Sequence, residues 1–243
     1  MIDALKLSPN GDRGRFFNFL DGDRHKEMMR DVRTGLTKPQ KSIPAKYFYD
    51  SCGSRLFERI TMTPEYYITR TELSILEHSA GRMVEFLSGD GGDIVELGSG
   101  PTSKIKKLLD AAYARGLDRL RYIPLDICGI CIEEVIEELP LLYPDLEVLG
   151  LRADFTAHLG MLPGGKKLLV FFGSTIGNLT EQECAGFLKK IKQTMNLDDR
   201  LLIGMDMVKP AQVMEAAYND SEGITRRFNL NLLSHINREL KAD

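Results

Sequence analysis

Long apolar runs are missing from this 243-residue chain. No stretch approaches the roughly 20 consecutive apolar residues that a bilayer-spanning helix needs. The amino terminus, "MIDALKLSPNGDRGRFF", also lacks the apolar segment of a secretory signal. Together these absences predict a chain that stays in the cytoplasm, with no membrane partner. Cysteine is scarce: Cys52, Cys128, Cys131 and Cys184 make no disulfide framework for a chain of this size, in keeping with a reducing compartment. The C-x-x-C in "DICGICIE" has no second pair beside it, and His158 and the other three histidines form no ligand-spaced cluster, so no metal is expected. Small buried side chains at a strand-to-helix junction are the favoured reading of that pair. An excess of one charge is missing too. Lys and Arg number 32 against 35 Asp and Glu, a net charge of −3 with no long run of either sign, which argues against a nucleic-acid partner.

What is present is a 43% hydrophobic chain, enough to bury a substantial core as one large domain with an elaboration. Residues 1–40 mix charge, Gly and Pro around one short helical stripe at "RHKEMMRDVRTGL", where Met28, Met29 and Val32 fall on one face, and read as an arm. Residues 41–89 alternate turns with amphipathic helices and read as a helical, substrate-capping region. Thr71, with Glu72 in the first turn, reads as a helix start there. From 90 to 208 the short apolar runs "DIVEL", "RYIPLD", "LEVLGLRA", "KLLVFFG" and "RLLIGMDMV" alternate with helical candidates. Right-handed crossovers between such strands lay helices on both faces of a mostly parallel sheet, so the fold class is α/β, Rossmann-like and doubly wound. Residues 209–243 read as helix, loop, helix.

"VELGSGPTSKIKKLL" runs the first of these strands through a glycine-bracketed turn into a helix. In doubly wound sheets the ligand lies beyond the carboxyl ends of the strands, and Gly98 and Gly100 stand there. A dinucleotide fingerprint wants a third glycine at position 103, which is Ser103, and Pro101 and Thr102 stiffen the turn, so a nicotinamide cofactor is disfavoured. Glu96, just before the turn, suits an ammonium better than a pyrophosphate, and S-adenosylmethionine carries an amine and a sulfonium. Asp126 closes the second strand where it can accept from a ribose diol. Asp154 and Phe155 follow the third, where a carboxylate can take an adenine amino group and a ring can cover its face. Each carboxylate alone also reads as a helix cap or turn residue. Asn178, in "GSTIGN" after the fourth strand, either orients an incoming nitrogen nucleophile or forms an Asx turn or N-cap before "LTEQECAGFL".

The segments "SIPAKYFYDSCGSRLFERITMTPEYYITRTE", "VELGSGPTSK", "YIPLDI", "ADFTAHL", "FFGSTIGNL", "MDMVKP", "AAYND" and "FNLNLLSHINREL", in this order, resemble the histidine-specific Nα-methyltransferases that make hercynine in ergothioneine biosynthesis. The resemblance runs from about residue 41 to the last. It implies a class I methyltransferase-like fold, S-adenosylmethionine as donor and a small-molecule amino acid as acceptor. By position it implies donor contacts at Gly98, Ser99, Gly100 and Lys104, with ribose and adenine contacts at Asp126, Asp154 and Phe155. It implies an amino-acid pocket with Tyr49, Tyr66, Asn178 and Tyr218, and a backbone contact near the amine at Gly173. The tyrosines alone would read as half-buried packing residues; Phe228 reads as core.

Methyl transfer from a sulfonium is an in-line displacement, so alignment is the main task. An α-amine has a reference pKa of about 7.7–8.0, so a strong general base is dispensable, and Asn178 and Tyr49 are expected to aim its lone pair while Tyr218 helps hold the carboxylate. A quaternary product can rest on aromatic faces. Family members continue past "INREL" with the last antiparallel strands and the groups that grip the imidazole, which leaves the substrate side chain open between histidine and a related amine such as a tryptophan derivative. A non-catalytic donor-binding subunit is the alternative of another class. A sheet ending at "RLLIGMDMV" would leave an unpaired edge, for which a second copy or a partner chain is expected as cover.

Overall fold

The computed structural model describes residues 14–20, 24–87, 91–117 and 119–242; the first part of the expected arm, residues 1–13, lies outside the described residues. Six strands, β1 (Gly14–Asn18), β2 (Gly92–Leu97), β3 (Leu120–Asp126), β4 (Glu147–Arg152), β5 (Lys167–Phe171) and β6 (Arg200–Ile203), form one sheet in the order β1-β4-β3-β2-β5-β6. Every pairing in it is parallel. The helices are α1 (Arg24–Leu36), α2 (Ser51–Met62), α3 (Tyr67–Val84), α4 (Ser103–Tyr113), α5 (Gly129–Leu142), α6 (Glu181–Thr194), α7 (Ala211–Ala217) and α8 (Ile224–Leu240).

The central strands are apolar on both faces because both faces are covered. Ile94, Tyr122, Leu168 and Val170 point into one core with Leu76 and Val84 of α3, Leu108 and Ala112 of α4, and Leu139 of α5. Their strand neighbours Val95, Ile123, Leu169 and Phe171 point into the other with Phe187 and Ile191 of α6. The period of two thus divides each strand between two cores, and each fully buried aliphatic or aromatic side chain contributes about 1.5–3 kcal/mol.

At the amino ends of the strands the apolar pattern gives way to charge. Arg121 of β3 donates to Asp93 of β2 through Nε at 2.8 Å and Nη2 at 2.7 Å. Register sets Arg121 also beside Glu147 of β4, and Asp93 beside Lys167 of β5. Glu147, Arg121, Asp93 and Lys167 therefore stand in line across adjacent strands with alternating sign. Glu147 further pairs with Arg15 of β1. Lys167, only 2% exposed at its side chain, gives its ammonium to Asp199 Oδ2 at 3.0 Å and to the Gly165 carbonyl at 2.9 Å. A buried ammonium with those partners is satisfied rather than stranded.

Two local features differ from the sequence reading. β1 forms within the expected arm, where "GRFFN" pairs along β4 and Phe17 joins the second core. Helix α3 begins at Tyr67, so Thr71 lies within it rather than at its cap.

Ile68–Met207, with the described residues before Leu20, make one compact unit; Leu20–Tyr67 and Val208–Asp243 make the other. In the second unit, Met28 of α1, Tyr47, and Leu232 and Ile236 of α8 share a small core. Asp50 caps α2 by accepting the Gly53 N–H at 2.7 Å, and also accepts from Asn231 at 2.8 Å and Arg238 at 2.6 Å on α8. One carboxylate thus both starts a helix and ties it to another.

Candidate functional site

Strand order reverses between β2 and β5, since the chain builds outward through β3 and β4 on one side of β2 and through β5 and β6 on the other. Ligands of open α/β sheets sit at the carboxyl ends of the strands flanking such a reversal. Gly98 follows β2 there with φ +75°, a left-handed conformation that favours glycine, and its N–H donates to the Leu125 carbonyl at 2.9 Å. A Cβ at Gly100 would meet nothing within 4 Å, so the turn opens onto free space. Beneath it, Ser99 is buried with its hydroxyl 3.3 Å from that of Tyr122.

Glu96 is 3% exposed and its carboxylate accepts the Tyr122 hydroxyl. Burial pushes its pKa up to about 7, against the pull of that hydrogen bond and of the nearby Lys104. Asp126, closing β3, accepts the Cys128 N–H at 2.8 Å, and burial pushes it to about 7 as well. Two carboxyls near neutrality at the switch point form a field that a cation would relieve.

Asp154 accepts the Thr156 N–H at 2.8 Å and the Thr156 hydroxyl at 2.6 Å, so it serves the turn after β4 with its Oδ1. The ring of Phe155, held by Phe171 and Phe187, reaches to 3.6 Å from where a Gly98 Cβ would stand. The sheet therefore brings an aromatic ring from the loop after β4 over the glycine turn after β2. At the start of α5, Cys128 is the N-cap and joins Cys131 in a disulfide across one helical turn, with Cα atoms 5.4 Å apart. The sequence reading had these two as small buried side chains; the spacing of three places both sulfurs on one side of the first turn.

Lys104, in the first turn of α4, and Gly173, after β5 with φ +75°, also meet: a Cβ at Gly173 would stand 3.5 Å from Lys104 Nζ. Glu72 of α3 joins them, accepting from Lys104 Nζ at 2.9 Å and from the Gly173 N–H at 3.0 and 2.9 Å. Sequence reasoning named Glu72 only as a helix-start residue. Asn178 ends a short 3-10 turn, Thr175–Asn178, and is exposed. The cap of α6 is Thr180, which makes a reciprocal capping box with Glu183, so Asn178 is not consumed as that cap.

In the second unit the three tyrosines expected around an amino acid are linked by ring contacts. Tyr49 meets Phe57 and Phe228 edge-on at 5.7 Å each, Phe57 meets Tyr66 at 6.2 Å, and Tyr66 meets Tyr218 at 6.0 Å. Tyr66 is buried whereas Tyr218 is 55% exposed, so the chain of rings runs from core to surface. Phe57, the connecting ring, was not singled out from sequence; its neighbours "RLFERI" mark only an amphipathic helix.

Fold and turn together define a Rossmann-like methyltransferase architecture: a parallel sheet with acidic side chains and a glycine turn at its switch point. Residues 28–243 match the model of the histidine-specific, S-adenosylmethionine-dependent methyltransferases, and the chain belongs to that family. It is 44% identical over 229 residues to histidine N-alpha-methyltransferase of Mycolicibacterium smegmatis, covering 93% of this chain and 70% of the relative. It is 43% identical over 220 residues to the protein of the same name from Mycobacterium tuberculosis, covering 90% and 68%. Ergothioneine biosynthesis protein 1 of Neurospora crassa is 34% identical over 213 residues, which are 84% of this chain and 24% of that much longer one.

Proposed function

We propose that this chain transfers methyl groups from S-adenosylmethionine to the α-amine of L-histidine, ending at Nα-trimethylhistidine, and does so in the cytoplasm. The observation that carries the donor half is the convergence at one sheet end of Gly98, Glu96, Asp126, Lys104 and the Phe155 ring. These residues fit the donor's chemistry: the buried carboxyl of Glu96 and the half-buried one of Asp126 suit its net positive charge, the open turn at Gly98, Ser99 and Gly100 admits its amino-acid half, and Phe155 offers a face for adenine. Asp126 is assigned to the ribose hydroxyls, Asp154 to the adenine amino group and Lys104 to the donor carboxylate. When bound, the donor supplies a methyl group on a sulfonium that already carries a good leaving group.

The chain's own task is alignment. Asn178 and Tyr49 orient the neutral amine, the loop at Gly173 lies against it, and Tyr66 and Tyr218 receive the amino acid. The linked rings of Tyr49, Phe57, Tyr66 and Tyr218 support repeated methylation, because a quaternary nitrogen without hydrogen-bond donors gains about 0.5–2 kcal/mol from aromatic faces. Histidine rather than an indole amine is favoured by the names of the mycobacterial relatives. The outer edge of β6 and the exposed Met205, Met207 and Val208 beyond it are where a second copy or partner chain would lie.

Incubation with S-adenosylmethionine and a panel of amino acids, histidine and tryptophan included, tests the reading by mass spectrometry. Successive methyl increments on histidine support it. Increments only on an indole substrate, or none while the donor binds, overturn the acceptor assignment.

A further inference from the structure

Glu72 is placed by three separate segments of its unit. Its side chain is 12% exposed and its carboxylate accepts from Lys104 at the start of α4 and from the Gly173 N–H after β5. The backbone beyond β6 presses on it as well, since a Cβ at Gly204 would fall 1.9 Å from Glu72 Oε1. A side chain gripped in this way does not swing aside easily. It also lies in the field of Glu96, so Glu72, Glu96 and Asp126 share one neighbourhood with the ammonium of Lys104.

The position answers a question that Glu96 leaves open. An acceptor for the donor's ammonium was expected at Glu96, but that carboxylate is buried beneath the turn, less exposed than that of Glu72. Glu72 stands instead beside Lys104, the residue assigned to the donor's carboxylate. An amino acid presents its carboxylate and its ammonium on one carbon, so a site that reads both needs a cation and an anion side by side. Lys104 and Glu72, 2.9 Å apart, are such a pair. A carboxylate offers about four lone-pair positions, so the bonds to Lys104 and Gly173 leave room for one more donor.

We propose that Glu72 is a donor-specificity residue, whose carboxylate receives the α-ammonium of the amino-acid half of S-adenosylmethionine while holding Lys104 toward the adjoining carboxylate. The inference rests on the donor reading given above. It assigns α3 a part in donor recognition.

The test is calorimetry on the whole chain with S-adenosylhomocysteine and with the analogue whose α-amino group is replaced by hydrogen. Wild type is expected to prefer the amino ligand by about tenfold or more, the scale of a charge-assisted hydrogen bond. In Glu72→Gln, which keeps the shape, and in Glu72→Ala, that preference is expected to fall below about threefold. A preference unchanged in Glu72→Gln, or equal weakening of both ligands, makes Glu72 a merely structural brace and overturns the proposal. Tighter binding of both ligands to Glu72→Ala also overturns it, by making Glu72 a stand-in for the ligand's own carboxylate. If wild type binds neither ligand, the donor reading itself fails, an outcome distinct from the others.

Discussion

The hydroxyl of Tyr122 on β3 donates to the carboxylate of Glu96 on β2, inside the sheet and directly under the glycine turn. Burial raises Glu96 to about 7, and this bond is the first of the influences that oppose the rise. Tyr122→Phe keeps the ring of a fully buried residue and deletes the donor. Glu96 then ionises at higher pH, and donor affinity at neutral pH is expected to fall by about tenfold, the cost of a lost hydrogen bond to a charged group. Calorimetric titration with S-adenosylmethionine checks it; undiminished affinity would separate Glu96 from donor binding.

Donor binding itself should release protons. Glu96 and Asp126 are both pushed up to about 7 by burial, so near neutrality each is partly protonated. A cationic ligand favours their ionised forms and lowers both pKa values, so affinity rises as pH climbs toward 7 and levels off above it. The measurement is calorimetry at about pH 6.5 in two buffers of different ionisation enthalpy; equal heats in both would mean that no proton leaves.

Asn178→Ala is expected to lower turnover by about tenfold or more through lost alignment, while donor affinity stays within about twofold. Asn178 is exposed and Thr180 supplies the helix cap, so the melting temperature should hold. Steady-state kinetics beside a thermal melt distinguish the two effects. Turnover within about threefold of wild type would remove Asn178 from the reaction.

Asp50→Ala removes the cap of α2 and its ties to Asn231 and Arg238. A loss of about 1–3 kcal/mol is expected in urea denaturation at neutral pH. Burial alone would raise the Asp50 carboxyl, but Gly53, Arg238 and Asn231 hold it below its ordinary range. Its contribution is therefore present above the unfolded carboxyl's pKa and disappears as pH falls through the lowered folded one, so wild type and variant should converge in acid.

The sheet was legible in the sequence because buried parallel strands are continuous apolar runs, and each of the five expected from 90 onward has a counterpart. β1 was not, since "GRFFN" is short, flanked by charge and glycine, and becomes a strand only against β4. Thr71 carried a cap signature that the tertiary structure overrode, because Tyr67 and Ile68 already continue the helix toward its amino end. Gly98 and the ring of Phe155 could be placed together from the logic of βα loops. Glu72 could not: its partner Gly173 is 101 residues away, and nothing local distinguishes it from any other helical glutamate.

The line of alternating charge at the amino ends of the strands reaches further than its own rim. A shift of β3 by two residues against β2 would keep every face correct, yet set Ile123 where Arg121 now meets Asp93. The same shift would carry Asp126 some 6–7 Å along its strand, at about 3.3 Å per residue, away from the level of Gly98. Pairing Glu147, Arg121, Asp93 and Lys167 at the bottom of the sheet thus acts as a ruler, and what it measures is how evenly the loops at the top come to a common height.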